Sequence, residues 1–407
     1  MAIRRDALAA RREALGFTQE TLAQELGVEL STTGRWERGT LTPQPWRRPD
    51  LAKLLKVSLD ELDILLNPPQ TTTTGRSSAT RREVMVDAAL LTGVIAADHM
   101  LGTHSEEPLR QQATLVSASA GVTDLHRKYQ AARYGDVARR LPEVNAAVDA
   151  LVAGGPARQR REALGLQCSV AIVAAKLATK AGDGEAGWAA AERAREAAES
   201  AEDTFGLAAA AYQRACALLR AGDSENAEQI AVSAAAGLRG QDPQSATWRG
   251  ALTLISSVIA ARRNDFAAAR ERLDHADELA RWLGADDNIG WTAFGPTNVL
   301  IHRTSVAVAL NDPRGTLATA EQLDITALPV GLNGRQAQFH LDSAWAHAQL
   351  VEDPQAVIHL LETERVAPEL VRANPNARSL IEDLLARERR RDVPALRGLA
   401  LRTGVAA

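Results

Sequence analysis

The chain has few aromatic residues for its length. Aromatic residues make up 4% of its 407 residues, and the hydrophobic fraction of 45% comes mostly from alanine and leucine, with few runs of β-branched residues. This composition predicts an all-α protein whose helices pack closely through small side chains. A chain of this length is expected to fold as two or more units.

Cysteines and long apolar runs are also scarce. The two cysteines, Cys168 and Cys216, lie in apolar helical segments and are expected to be buried free thiols, with a disulfide or a metal pair as the alternative. No run reaches the 18 apolar residues of a membrane span, and the first residues resemble an amphipathic helix with arginines more than a secretory leader. We therefore expect a cytoplasmic protein with no membrane partner.

Catalytic and metal-binding patterns are missing from the sequence. The eight histidines show no metal-ligand spacing, and neither a P-loop nor a nucleophile elbow is present. His340 and His347 lie one heptad apart on a predicted helix, without an acidic or thiol partner. We predict no enzyme activity, no cofactor and no metal.

Residues 18–39 have the pattern of two short helices joined by a tight turn. Thr18 is the predicted N-cap of the first helix. The first helix has one apolar face, formed by Leu22, Ala23 and Leu26. Gly27 is predicted to reverse the chain, and a second helix is expected from Leu30 to Glu37, closed by Gly39.

The order of these residues resembles the Xre or lambda-repressor type of helix-turn-helix domain. The matching positions are Gln19, Leu22, Ala23, Gly27, Val28, Trp36, Glu37 and Gly39. A helix predicted over residues 3–15 and the segment 51–62 extend the resemblance to about the first 66 residues, which implies a five-helix domain. The resemblance also implies binding to double-stranded DNA at an operator, with the second helix in the major groove.

The residues expected to contact DNA lie on the second helix or beside it. They are Gln19, Leu30, Ser31, Gly34, Arg35 and Arg38. Arg35 is predicted to bind guanine bidentately and Gln19 to hold a phosphate, and Arg47 and Arg48 are further phosphate candidates. Residues 1–66 carry ten basic and ten acidic side chains, so the strong electrostatic attraction of a non-specific DNA binder is not expected. A homodimer is therefore expected to be needed for useful affinity.

Residues 67–80 differ in composition from their surroundings. Their sequence, NPPQTTTTGRSSAT, has prolines, threonines and serines but too few apolar residues to form a core, so it predicts a flexible tether. A helix predicted over residues 81–101 is expected to cap the next domain or to form a dimer contact. The predicted domains are therefore 1–66, 67–80 and 81–407.

The rest of the chain is predicted to be helical with regularly spaced turns. Gly-Asp or Asn-Asp pairs, and one looser Glu-Asp pair, place the turn aspartates at Asp136, Asp183, Asp223, Asp265, Asp312 and Asp353. The aspartates recur every 40 to 47 residues, which is typical of a helical-hairpin solenoid. These hairpins resemble tetratricopeptide repeats, and a non-repeating helical bundle is the alternative.

Residues 288–303 are the predicted ligand site within these repeats. Trp291, Phe294, Asn298 and His302 recur at helical spacing, and Pro296 is predicted to interrupt the helix and free backbone groups. Neighbouring helices are expected to add Tyr212, Trp248 and Arg249, and more weakly Arg214, Trp345 and His340. The groove of such a solenoid is expected to accept a peptide, a small molecule or a protein partner. The alternative is that the aromatic residues are core and the polar ones are solvated.

The combination of an Xre-type head and a tetratricopeptide-like body resembles two groups of regulators. One is the peptide-responsive RRNPP class, and the other is a broad set of actinobacterial regulators with this layout. The resemblance implies a dimeric transcription factor whose body senses a ligand and controls the DNA-binding heads. The alternative is a protein-interaction scaffold with a vestigial helix-turn-helix.

Overall fold

The computed structural model describes residues 5–28, 30–39, 41, 43, 47–66, 114–388 and 395–405. Within these residues the regular structure consists of twenty α-helices and two short 3-10 turns, with no strand. The predicted all-α fold class is therefore confirmed. The predicted tether at residues 67–80 and the helix predicted over residues 81–101 lie outside the described residues.

The first five helices form a small head. They are α1 (Asp6–Ala14), α2 (Gln19–Glu25), α3 (Leu30–Glu37), α4 (Arg48–Leu54) and α5 (Leu59–Leu66). Their apolar faces enclose a core in which Leu51, Leu62 and Trp36 are buried. Thr18 caps α2 through its side chain, as predicted, and Gly27 reverses the chain with a left-handed φ of +58°.

The other helices form a larger body. They are α6 (Leu115–Gln130), α7 (Tyr134–Gly154), α8 (Ala157–Ala181), α9 (Gly184–Ser200), α10 (Thr204–Ala221), α11 (Ser224–Gly237), α12 (Pro243–Arg262), α13 (Phe266–Leu283), α14 (Pro296–Ala309), α15 (Pro313–Ala320), α16 (Asn333–Gln349), α17 (Asp353–Val366), α18 (Pro368–Ala373), α19 (Pro375–Arg387) and α20 (Leu396–Thr403). Helices α8, α10, α12, α14 and α16 contact one another in series, and each also packs against the helix that follows it. This is the packing of a helical-hairpin solenoid, with one row of inner helices.

The turns between paired helices are built alike. Gly182, Gly222, Asn264 and Asn311 follow the inner helices with left-handed φ values between +60° and +96°. The aspartate after each of them caps the next helix by accepting a backbone N–H. Glycine and asparagine are the residues that best tolerate this φ, which explains the predicted spacing. The turn predicted at Gly135-Asp136 is wrong, because both residues lie in the first turn of α7.

The body closes on itself. Helix α6 contacts α16, and apolar residues from both ends of the body, including Leu125, Leu341 and Leu370, share one core. Gln130 on α6 and Asn288 before α14 exchange two side-chain hydrogen bonds of 2.9 and 2.8 Å. The inner helices therefore surround a central cavity, whereas an open solenoid would present an open groove.

Helix α8 is the one helix in the described part of the chain whose length and hydropathy suit a membrane span. The helix packs against α7, α9 and α10 inside the helical stack. It also carries Lys176 and Lys180 on its cavity side. A helix in the interior of a helical protein has the same apolar composition, so its composition alone does not distinguish the two cases.

Candidate functional site

The residues predicted to contact DNA lie on α3 or at the start of α2. They are Gln19, Leu30, Ser31, Gly34, Arg35 and Arg38. Leu30 is 52% exposed, whereas Arg35 is half-buried. Gly34 is buried, because Gln19 Oε1 and a guanidinium nitrogen of Arg38 lie 3.3 and 3.0 Å from the place that its Cβ would take. Glycine at residue 34 therefore gives these two side chains room to lie across α3.

A buried ion pair holds α3 against α1 and α2. Arg12 Nε donates to Glu37 Oε1 at 2.5 Å, and Gln19 Nε2 donates to Glu37 Oε2 at 2.5 Å. Arg12 and Glu37 are only 5% and 7% exposed, and the hydrogen bond to Glu37 raises the pKa of Arg12. Glu37 thus positions Gln19, a role that the sequence reasoning missed, although Glu37 was among the residues that matched the family pattern.

Arg47, which was predicted to contact a phosphate, is buried between the head and the body. Its guanidinium donates to the carbonyl of Leu26 at 3.0 Å, to Asn264 Oδ1 at 3.1 Å and to the carbonyl of Ala309 at 3.3 Å. Burial lowers the pKa of Arg47. Arg48 Nε donates to the carbonyl of Pro43 at 3.2 Å.

The turn between α2 and α3 lies directly against the body. Asn264 Nδ2 donates to the carbonyl of Leu26 at 3.3 Å. A Cβ at Gly27 would come within 2.6 Å of the same amide nitrogen, so a larger residue at Gly27 would push the body away. The contact between head and body, which we call the clamp, therefore consists of Leu26, Gly27 and Arg47 on the head and Asn264 and Ala309 on the body.

The central cavity of the body has a volume of about 440 Å³. Pockets that hold small molecules usually measure about 300 to 1,000 Å³. The lining includes all three tyrosines of the chain and three of its seven tryptophans: Tyr129, Tyr134, Tyr212, Trp248, Trp291 and Trp345. A chain with few aromatic residues thus concentrates them around one cavity of ligand-binding size.

Cationic side chains also line the cavity. They are Lys176, Lys180, Arg220, Arg262 and Arg335. Burial, and then the charge of Arg335, lowers the pKa of both lysines to about 8. Burial, and then the charge of Arg220, lowers the pKa of Arg262 to about 10. The chain has only five lysines, and two of them face this cavity.

Asp342 is the one acidic residue among the described residues that line the cavity. It accepts hydrogen bonds from Ser305 Oγ at 2.6 Å and Gln338 Nε2 at 2.8 Å, and burial raises its pKa to about 7. His302 lies nearby on α14, with Nδ1 2.8 Å from the carbonyl oxygen of Asn298. Burial lowers the pKa of His302 to about 3, so it is neutral.

The structure brings four of the seven predicted ligand residues to the cavity. They are Tyr212, Trp248, Trp291 and His302. Phe294 is 1% exposed and packs over Gly250 in the core. Asn298 is 2% exposed, and its side-chain oxygen has no hydrogen-bond partner. Arg249 donates to two backbone carbonyls of the loop before α12, at 2.9 and 3.2 Å, and lies away from the cavity lining.

The helix predicted across residues 288–303 is wrong in its first half. Ile289–Trp291 forms a 3-10 turn, and α14 begins at Pro296. Proline suits the first position of a helix, where its missing N–H is not needed. Pro296 therefore starts the helix instead of interrupting it, and the four predicted residues do not share one helix face.

The segment before α14 is strained where it lines the cavity. Trp291 and Ala293 have left-handed φ values of +60° and +56°, which cost a non-glycine residue about 1 to 3 kcal/mol. The Trp291 ring stacks on His126 with the ring centroids 4.8 Å apart. Backbone strain of this kind is found more often at functional sites than elsewhere.

Two further predictions concern histidine and cysteine. The prediction that His340 and His347 have no acidic or thiol partner is wrong for His347, whose Nδ1 lies 2.7 Å from a carboxylate oxygen of Glu352, whereas the partner of His340 is another histidine, with Nδ1 of His340 3.1 Å from Nδ1 of His359. Burial lowers the pKa of His359 to about 4. No group of three or more side chains suited to a metal occurs among the described residues. The two cysteines are free thiols, as predicted; Cys168 is buried, as also predicted, whereas Cys216 is only half-buried and lines the cavity.

Comparison with known proteins supports the interpretation of the head. Neither the comparison with curated proteins nor that with solved structures finds a match to the chain. Residues 5–65 match a family model described as a helix-turn-helix domain, and this range covers the head almost completely. The head of this chain is a helix-turn-helix domain, consistent with the Xre type, and it points to a DNA-binding regulator.

Proposed function

We propose that the protein is a sequence-specific transcriptional regulator whose body binds a ligand and thereby controls DNA binding by the head. The observation that carries the proposal is the helix-turn-helix match over residues 5–65. In this fold the second helix of the motif reads base edges in the major groove, and the first crosses the sugar-phosphate backbone. Helix α3 would therefore read the operator, with Arg35 as the main base contact and Arg38 as a phosphate contact.

The clamp supports coupling between ligand binding in the cavity and the position of the head. Arg262 lines the cavity two residues before Asn264, which bonds to the head. Ala309 lines the cavity, and its carbonyl accepts a hydrogen bond from Arg47. A ligand in the cavity would touch the same segments that hold the head. The clamp can be closed, with the head bonded to the body, or open, and a ligand that binds one of these arrangements more tightly shifts the equilibrium toward it. We propose that the clamped arrangement is the one that does not bind DNA, because the body lies against the turn that precedes α3.

Dimerisation and cellular location are parts of the same proposal. A homodimer would place two copies of α3 on half-sites about one helical turn, 34 to 36 Å, apart. We propose that the protein forms such a dimer in the cytoplasm, where its operator DNA lies. Multi-angle light scattering of the full chain, with and without an operator fragment, measures the number of copies directly.

The DNA-binding part is tested with genomic fragments, including the region upstream of the protein's own gene. Fluorescence anisotropy at low salt measures their affinity for the full chain and for Arg35→Ala. Loss of a bidentate guanine contact should weaken binding by about 1 to 3 kcal/mol, or roughly 5- to 150-fold. Arg365→Ala, which removes an exposed arginine of the body that pairs with Glu362, is the control and should have no effect. If the full chain binds none of the fragments, the proposal that it is a transcriptional regulator is wrong.

The alternative is a scaffold that binds a partner protein and carries a vestigial head. The equal numbers of basic and acidic residues in residues 1–66 favour it, because they give little attraction for DNA. The closed body disfavours it, because the inner helices surround a cavity of about 440 Å³. In the DNA experiment, the scaffold predicts that no fragment binds and that Arg35→Ala changes nothing.

A further inference from the structure

We infer that the central cavity binds a small organic anion with two or more negative charges, carried by phosphate or carboxylate groups. This inference rests on the proposed ligand binding by the body and adds the charge and the size of the ligand. The observations that carry it are the five cations of the cavity wall, the absence of ion pairs between described carboxylates and four of them (Lys176, Lys180, Arg220 and Arg335), and the neutral tyrosines that lie beside two of them.

The cations come from four inner helices and form one cluster. Lys176 and Lys180 lie one turn apart on α8, Arg220 lies at the end of α10, Arg262 ends α12, and Arg335 lies in the first turn of α16. The charge of Arg335 lowers the pKa of both lysines, and that of Arg220 lowers the pKa of Lys180 and Arg262. Residues up to 159 positions apart in the chain therefore act on one another across the cavity.

Most of this positive charge is not neutralised. Within the described ranges, no carboxylate forms an ion pair with Lys176, Lys180, Arg220 or Arg335. Asp342, the acidic residue of the wall, accepts its closest hydrogen bonds from neutral side chains. By contrast, Arg195 on the outer helix α9 pairs with three glutamates of its own helix.

Neutral aromatic groups lie beside two of the cations. The Lys176 ammonium lies 5.8 Å from the centre of the Tyr129 ring. Arg335 and Tyr212 both line the cavity, and the charge of Arg335 lowers the pKa of Tyr212 against the larger effect of burial. A tyrosine orients a cation without cancelling its charge, whereas a carboxylate would do both. The cluster is therefore held in place with its charge available to a ligand.

Grouping like charges away from bulk water costs free energy, because each cation loses hydration and repels the others. An anion in the cavity removes both costs and accepts charge-assisted hydrogen bonds from the lysines and arginines. The volume of about 440 Å³ suits a small molecule and is too small for a folded protein domain or a DNA duplex. Phosphate and carboxylate share this chemistry, so the probes must separate them.

Isothermal titration calorimetry of the full chain, without DNA, tests the inference. The anionic probes are inorganic pyrophosphate, citrate and adenosine triphosphate, with adenosine and spermidine as neutral and cationic counterparts. We expect at least one anion to bind with a Kd in the micromolar range and neither counterpart to bind. Tighter binding of pyrophosphate than of citrate identifies phosphate, and the reverse order identifies carboxylate. If no anion binds, the inference is wrong.

Variants locate the site. Lys180→Gln and Arg335→Gln should each raise the Kd of the bound anion at least tenfold, and Lys180→Arg should restore most of the affinity. Lys128→Gln is the matched control, because Lys128 is the other lysine of the body and pairs with Asp124 away from the cavity. It should change the Kd less than twofold. If Lys180→Gln and Arg335→Gln both bind the anion with the Kd of the wild type, the anion binds elsewhere and the inference is wrong.

The same variants give a readout that needs no ligand. Lys180→Gln should raise the Tm of the free protein, because it removes one charge from the repelling cluster, whereas Lys180→Arg should not. A lower Tm for Lys180→Gln than for Lys180→Arg would mean that the charge stabilises the fold, contrary to the inference. Failure of the inference differs from failure of the proposed function: a protein that binds DNA but no anion contradicts only the inference, and one that binds an anion but no DNA contradicts only the regulator.

Discussion

Asn264→Gly tests whether the clamp restrains the head. Asn264 has a left-handed φ of +63°, a conformation that glycine adopts readily, so the substitution keeps the turn between α12 and α13. It removes only the amide side chain. That side chain accepts a hydrogen bond from Arg47 at 3.1 Å and donates one to the carbonyl of Leu26 at 3.3 Å. Both bonds join the head to the body.

The expected effect follows from these two bonds. A neutral hydrogen bond contributes about 0.5 to 1.5 kcal/mol, and one to a charged group about 1.5 to 3 kcal/mol. Arg47 keeps its bonds to the carbonyls of Leu26 and Ala309, so the loss should lie near the lower limit, about 2 kcal/mol. This loss shifts the clamp equilibrium roughly 30-fold toward the open arrangement. If the clamped head cannot bind DNA, the apparent DNA affinity should rise by up to the same factor.

Two measurements are needed. Fluorescence anisotropy gives the DNA affinity, and energy transfer between dyes on the head and the body reports whether the clamp is closed. Asn311→Gly is the matched control, because Asn311 has a φ of +60° in the equivalent turn and also precedes a capping aspartate. It should change the DNA affinity less than twofold.

The reasoning fails if Asn264→Gly opens the clamp without raising the DNA affinity. In that case the clamped head already binds DNA, and the ligand would have to act in another way. It also fails if Asn264→Gly and Asn311→Gly have the same effect, since the loss would then come from the turn and not from the clamp.

Three further predictions concern buried charges. Glu37→Gln should destabilise the head by about 3 kcal/mol in urea unfolding, because it removes the buried carboxylate that pairs with Arg12 and leaves only the exposed Glu13, at 3.0 Å, as a countercharge, while Glu13→Gln, which removes that exposed partner, should cost less than about 1 kcal/mol. Asp342 has a pKa of about 7 in the folded state, above its ordinary value of 3.8, so the folded state binds more protons than the unfolded state between these values. Stability should therefore fall as the pH rises from about 4 to about 7. The Tm of the wild type should decrease across this pH range, and the Tm of Asp342→Asn should decrease less. The lowered pKa of Lys180 has the opposite effect on stability, because the unfolded state binds more protons between about pH 8 and 10.5. The Tm should therefore rise with pH across that window, and more in the wild type than in Lys180→Gln. The affinity for the anion should fall across the same window, because Lys180 loses its charge.

The sequence by itself determined the helical class, the helix-turn-helix head and most turns of the body. These features depend on local conformation: Thr18 caps α2 by accepting from the backbone N–H of Thr21, three residues on, and Gly27 takes a left-handed φ that glycine adopts readily. The same holds for Asn264 and Asn311, whose φ values and following aspartates fix the turns after α12 and α14. Residues adjacent in sequence are sufficient to specify such features.

Only the tertiary structure decided what surrounds the cavity and what joins the head to the body. Arg47 and Asn264 are 217 positions apart, and no local pattern shows that they bond to each other. Lys180 and Arg335 face each other because the body closes into a ring, which depends on the packing angles of many successive helices. Small differences in each angle accumulate over the repeats. For that reason a pattern of turns predicts a solenoid but does not predict which side chains meet across its centre.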